Sequence, residues 1–248
     1  MGLFDNLTNT DQMEESTDNL GGGFQAVPTD IYDCDIKLMY HSQSQGGANA
    51  FTVVVDAGGQ EVSETIYYTN KKGENFYADK QDASKRHPLP GFTTLNDLCL
   101  LVTGFGLAEQ ETEEKVVKIY DYEARKELPK PVQCITAMHG QKVKLGIQRE
   151  IVDKEKKGDD GQYHPTGDTR TQNAINKVFH AETGRTVVEV KNGVETPEFM
   201  NAWKERHAGK DRDRTKKTPN TGGASGSGRP GAAAAGGGAR QGGGLFGN

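Results

Sequence analysis

The chain has 248 residues, of which 33% are hydrophobic and 32 are glycine, and its mean hydropathy is -0.75, so part of it cannot be packed core. Its net charge of -5 is unevenly spread: residues 1–35 carry -8, residues 36–203 carry -3 and residues 204–248 carry +6. No apolar run approaches a membrane span and no basic-then-apolar leader opens the sequence, so a cytoplasmic protein without a membrane partner is expected.

Residues 1–25 are acidic, polar and glycine-rich, and read as a disordered arm with a short apolar hook at Leu3-Phe4. Asp30 to Tyr40 alternates as a first strand, with Tyr32, Cys34, Ile36 and Leu38 on one face. His41 to Asn49 is a glycine-containing loop. Phe51, Val53 and Val55 then alternate with Thr52, Val54 and Asp56, the period-2 pattern of a half-buried strand. Ala57-Gly58-Gly59-Gln60 is hairpin turn chemistry, and Val62 to Thr69 returns, rich in β-branched and aromatic residues. With Val62 and Ile66 facing the core, Tyr67 stands on the opposite face.

Lys71 to Pro90 is a polar segment carrying Lys71, Lys72, Lys80, Lys85 and Arg86 together with Phe76 and Tyr77. Thr93 or Thr94 caps a helix with Leu95, Leu98, Cys99, Leu101 and Val102 on its apolar face, closing near Gly104. Val116 to Tyr122 is a short strand or an extended arm, punctuated by Pro129 and Pro131. Val132 to Met138 and Lys142 to Val152 form a second hairpin about His139-Gly140-Gln141. Asp153 to Thr171 is a polar excursion, Ala174 to Phe179 a short apolar element and Thr186 to Val190 a short strand. Thr196-Pro197-Glu198 opens a C-terminal helix bearing Phe199, Met200 and Trp203. From Gly209 onward the chain is basic, then Gly/Ala/Ser-rich, and ends in Gly243-Gly244-Leu245-Phe246-Gly247-Asn248.

Three strands, a helix and a strand pair, in that order, predict a mainly β protein. The specific expectation is an OB-fold-like five-stranded Greek-key barrel with one helix after strand 3, added short elements and a C-terminal helix. It spans residues 26–208, between a disordered acidic arm (1–25) and a disordered, basic, Gly-rich tail (209–248). Cys34, Cys99 and Cys134 are odd in number and each sits in an apolar pattern, which reads as reduced, buried thiols.

Catalysis finds little support, because no glycine-rich phosphate loop, nucleophile elbow or zinc-ligand pair is present. Asp159, Asp160, His164 and Asp168 form the best metal-like cluster, yet their spacing matches no known cation loop; no metal and no cofactor is expected. The constellation that does carry chemistry is Tyr67, Tyr68, Lys71, Lys72, Phe76, Tyr77, Lys80, Lys85 and Arg86. Bases stack on aromatic rings without regard to sequence while cations meet phosphates, which is the chemistry of a single-stranded nucleic-acid binder. Lys142, Lys144 and Arg149 either extend such a groove or belong to a salt-bridged outer face. The basic stretch from Lys204 to Lys217 meets phosphates by counterion release or serves charge balance.

VVKIYDYEARKELPKPV, VKLGIQREIVDK, YHPTGDTRTQNAINKVFH with TGRTVVEV, and FMNAWKERHAGK give the chain its resemblance to the phage-encoded single-stranded DNA-binding proteins of the T7-like replication class, over about Asp30 to Gly209. The resemblance implies an OB-type core, non-specific single-stranded DNA binding in replication and recombination, and contact with a replicative polymerase or helicase through the C-terminus, where Phe246 is the aromatic available. That class ends in an acidic tail, whereas here the acids lie at the N-terminus, so residues 5–35 are expected to supply the charge that competes with DNA. A protein-interaction or polymerase-recruiting factor acting through the Leu-Phe termini is one alternative, and a metal-dependent nuclease using the 159–168 loop is another.

Overall fold

The computed structural model describes residues 25–216, apart from residues 83, 122, 123, 125, 159, 160 and 162. The acidic arm, the Gly-rich tail with Phe246, and the candidate ligands Asp159 and Asp160 therefore lie outside the described residues.

β1 (Asp30–Gln43), β2 (Asn49–Ala57) and β3 (Gln60–Tyr67) form an antiparallel meander. Gly58 and Gly59 join β2 to β3 with φ of 67° and 91°, the two positive values a tight primed turn requires. Phe51, Val53 and Val55 of β2 and Val62 and Ile66 of β3 are buried as their alternation predicts. β1 departs from simple alternation. Its register with β2 shifts between Ile36 and Leu38, so a bulge flips the parity. Cys34 and Ile36 face the core before the bulge, and Met39, not Leu38, faces it afterwards.

Two short strands, β4 (Phe76–Ala78) and β5 (Arg86–Pro88), make a small hairpin within the polar segment after β3. α1 (Pro90–Thr103) starts earlier than the threonines predict: Pro90 occupies its first turn, and the Thr93 and Thr94 hydroxyls instead donate back to the carbonyls of Leu89 and Pro90. It ends at Gly104, whose φ of 83° allows its N–H to reach the Leu100 carbonyl. Leu95, Leu98 and Cys99 are its buried face.

The second hairpin is not the expected one. β6 (Glu113–Asp121) pairs with β7 (Lys126–Cys134), an arm that touches the main sheet at Tyr40 and Cys134. Strand residues two apart send their N–H groups to the same side, so Pro129 and Pro131 can both face away from β6. Thr136–Met138 is a 3-10 turn, and β8 (Lys142–Lys157) pairs with β1 and with β9 (Tyr163–Phe179), not with β7. The polar excursion is thus the outer half of a long two-stranded arm. Its residues are mostly exposed, so no face of it alternates in polarity and the strand signal disappears.

Thr186–Val190 is corrected as well. Thr186 and Glu189 form a reciprocal capping box, Thr186 accepting the Glu189 N–H and Glu189 accepting that of Thr186, which starts the short helix α2 (Val187–Lys191). α3 (Glu198–His207) matches expectation. Its Trp203 is buried over Gly146, where a Cβ would come within 3.0 Å of the indole, and donates to Asn176 at 2.7 Å.

The chain keeps contact with the sheet beyond Ala208, through Lys216. β10 (Arg212–Asp213) runs parallel to β8, and Arg214 donates its N–H to the Ile151 carbonyl. The sheet runs β9-β8-β1-β2-β3, and β10 pairs with β8 on the same side as β1, farther along the strand. The protein is therefore mainly β and chiefly antiparallel, but no backbone ladder closes the sheet. β3 and β9 meet instead through the Glu64 carboxylate, which accepts the Ile175 N–H. Ile36, Met39, Val53, Leu98, Leu145 and Ile147 fill the core between the sheet and α1. Among the described residues no helix is long and apolar enough to cross a membrane.

Candidate nucleic-acid interface

The face of β1, β2 and β3 turned away from the core is not bare sheet. The β6–β7 arm stands against it and encloses an open cleft of about 820 Å³. Tyr40, His41, Thr52, Ser63 and Thr65 line its sheet side, and Val117, Lys118, Ile119 and Tyr120 its arm side. The polarity follows from the pleat: residues alternating with Val53, Val55, Val62 and Ile66 must point outward, and here they are mostly hydroxyl-bearing. Thr52 and Thr65 bond to each other across the strands at 2.9 Å. Tyr120 keeps about half its surface exposed at the rim. Lys37 sits within 3.4 Å of Asp56 and 3.5 Å of Glu61, so its charge is met locally, while Lys118 makes no ion pair among the described residues.

The residues singled out from the sequence fall into three places. Tyr67 ends β3 on the outer face, half exposed. Tyr68, one residue on, turns inward: its ring stacks on Phe51 at 5.5 Å and 26°, and burial pushes its hydroxyl pKa up. Lys71 and Lys72 lie in the turn that follows, and the Lys71 stem rests against Gly46 of the β1–β2 loop.

Phe76, Tyr77, Lys80, Lys85 and Arg86 belong to the β4–β5 hairpin and its loop, and none lines the cleft. The Arg86 guanidinium lies 4.4 Å over the Phe76 ring, Tyr77 packs beside His87 at 5.3 Å, and Lys85 lies 3.6 Å from Asp82. The Asp79 carboxyl is held below its usual range by the N–H of Gln81, by His87 and by the N–H of Asp82.

Lys142, Lys144 and Arg149 form the salt-bridged face rather than an extension of the groove. Lys142 meets Asp35 at 2.7 Å, Lys144 meets Asp33, and Arg149 meets Asp211 at 2.7 Å. The basic stretch after α3 is likewise engaged. Arg212 and Arg214 clasp the buried Glu150 at 3.5 and 3.2 Å, and Lys216 meets Glu155 at 3.3 Å. These cations balance the sheet's own carboxylates.

His164 and Asp168 lie on β9, and among the described residues no three of His, Cys, Asp and Glu are grouped to hold a metal. Cys34, Cys99 and Cys134 are buried free thiols, and burial pushes Cys34 and Cys99 up to about 12. No protein-family model matches the chain, and no curated protein matches it. Its chemistry must be read from its own surface.

The cleft residues Tyr40, His41, Thr52, Ser63, Thr65, Lys118 and Tyr120 were not legible as one site. The β1 bulge hides which of Leu38, Met39 and Tyr40 face outward, and nothing local shows that residues 113–134 fold back over β1–β3.

Proposed function

We propose that the chain binds single-stranded DNA without sequence preference, coating it in replication and recombination as the phage single-stranded DNA-binding proteins it resembles do. The observation that carries this reading is the cleft between the outer face of β1–β3 and the β6–β7 arm, open and lined by Tyr40, His41 and Tyr120 among hydroxyls. Rings give stacking surfaces, hydroxyls and Lys118 give partners for sugar and phosphate, and nothing there demands one base over another.

The element order supports an OB-type reading of the fold. β9-β8-β1-β2-β3 is the strand order of that barrel, α1 follows its third strand, and Glu64 spans the gap where β3 and β9 would complete it. In such barrels the face of strands 2 and 3 takes oligonucleotides. Contact with a replicative polymerase or helicase through the tail bearing Phe246 belongs to the same reading.

The test is fluorescence anisotropy with labelled single- and double-stranded oligonucleotides across a salt series. A strong preference for the single strand, with affinity remaining at high salt, is expected from stacking. Tyr120→Ala should weaken that binding about tenfold, within the roughly 1–3 kcal/mol a stacked base contributes, in a variant that circular dichroism shows to be folded. Equal, weak, salt-labile binding to both duplex and single strand would sink the proposal.

A further inference from the structure

A second hollow lies on the inward side of the same sheet, where β2 begins and β3 ends. It has a volume of about 470 Å³, within the range of small-ligand sites. Phe51, Tyr68, Phe92, Leu107 and Ile135 make its apolar walls. It shares no lining residue with the cleft, but one aromatic cluster reaches from one to the other: His41, which lines the cleft, lies edge-on to Phe51 at 5.6 Å and to Tyr68 at 6.4 Å, and both of these line the hollow.

The rim carries unspent polarity. Among the described residues, the Tyr68 hydroxyl, the Asn75 amide and the Thr112 hydroxyl make no hydrogen bond. Gln110 spends its amide N–H groups on Thr103, Phe105 and Gly106, which leaves its Oε1 to accept. An aliphatic side chain would leave such groups unanswered, whereas a nucleobase brings both a flat apolar face and an edge of donors and acceptors.

Charge points the same way. Gly73 of the Asn70–Glu74 turn is part of the wall, and that turn carries Lys71 and Lys72, neither of which makes an ion pair among the described residues. The turn is fixed from within. Asn70 Oδ1 accepts the N–H groups of Lys72 and Glu74, and the Glu74 carboxylate is spent on the Asn70 amide at 2.8 Å. The turn that forms one wall of the recess thus carries two cations close to it in the chain.

We propose that this recess takes one unstacked base of the bound single strand, with Lys71 and Lys72 on the adjoining phosphates, so that a single nucleotide sets the register of an otherwise tolerant site. The proposal rests on the cleft being the DNA site. It makes one position in the footprint unequal to its neighbours, although every base can be accepted there.

The experiment is an abasic scan. A single abasic residue is walked along an oligonucleotide no longer than the measured footprint, so that it seats in one register, and affinity is read by anisotropy for the full-length protein. The position in the recess should cost about tenfold, as should those stacked on the cleft rings, and the recess position is the peak that depends on Phe92. In Phe92→Leu that peak should vanish, leaving the remaining profile unchanged. Thr112→Leu fills the recess from its exposed rim without touching the core, and should remove the same peak if Phe92→Leu melts early.

Failures separate cleanly. Wild-type binding whose abasic profile is unchanged by both substitutions overturns the recess and leaves the cleft standing. No binding of any single strand by the wild type removes the cleft reading, and the recess with it.

Discussion

Glu64 shows how one residue can tie stability to pH. It points inward from β3, where burial raises its pKa to about 7, the Ile175 N–H and Arg214 opposing that rise and Glu150 adding to it. The folded protein therefore holds a proton up to about 7, whereas the unfolded chain releases it near the ordinary 4.5. Folding takes up a proton between those values, so this contribution is complete below about 4.5 and is lost as pH rises through 7. Its full size is on the order of 3 kcal/mol. Glu64→Gln keeps an oxygen for Ile175 but cannot titrate, so chemical denaturation of the variant from pH 5 to 8 should show a flatter stability profile than wild type. An unchanged slope would place the pH dependence on other groups. Sequence alternation puts Glu64 on the same face as Val62 and Ile66, but it gives no sign that the opposite edge of the sheet offers an N–H there.

Elements with one wet and one dry face were legible, and those without were not. β2 and β3 alternate cleanly and fold as read; the β8–β9 arm, wet on both faces outside the core, looked like loop. α1 was legible through Leu95, Leu98 and Cys99, but its start was not, because what fixes it is tertiary. The Tyr67 carbonyl lies so close to Gly91 that a Cβ there would come within 2.0 Å of it. Gly91→Ala must therefore push the first turn of α1 away from β3, against a contact that involves rigid backbone on both sides. A loss of about 1–3 kcal/mol in denaturant unfolding is expected, the usual cost of overpacking a tight site. Because Tyr68 and Phe92 flank this contact in sequence and both line the aromatic recess, the variant should also blunt the abasic-scan peak. A variant as stable as wild type would mean that β3 and α1 can slide apart at no cost.

At the scale of the molecule, the charge asymmetry along the chain is used partly for closure. The basic stretch after α3 reads as a solvated tail because it contains no apolar residue, yet it folds onto the sheet through ion pairs that composition cannot reveal. Glu150 is almost wholly buried, 2% exposed in its side chain, and its counter-ions are Arg212 and Arg214, residues far along the chain. Arg214 also opposes the burial of Glu64, so one guanidinium serves both carboxylates at the seam between β3 and β9. Truncation after Ala208 removes both arginines and leaves Glu150 with only the Gln172 amide at 3.4 Å among these partners. Stranding a buried carboxylate costs on the order of 3 kcal/mol, discounted somewhat here because the guanidinium groups themselves are half exposed. Truncation after Lys216 keeps the clasp and should leave Tm unchanged. The comparison to make is thermal melting of both chains at pH 5 and pH 8: the shorter one should lose more at pH 8, where Glu64 carries charge without Arg214 to meet it. Equal melting of the two chains at both pH values would show that the clasp ornaments a sheet already closed by other means.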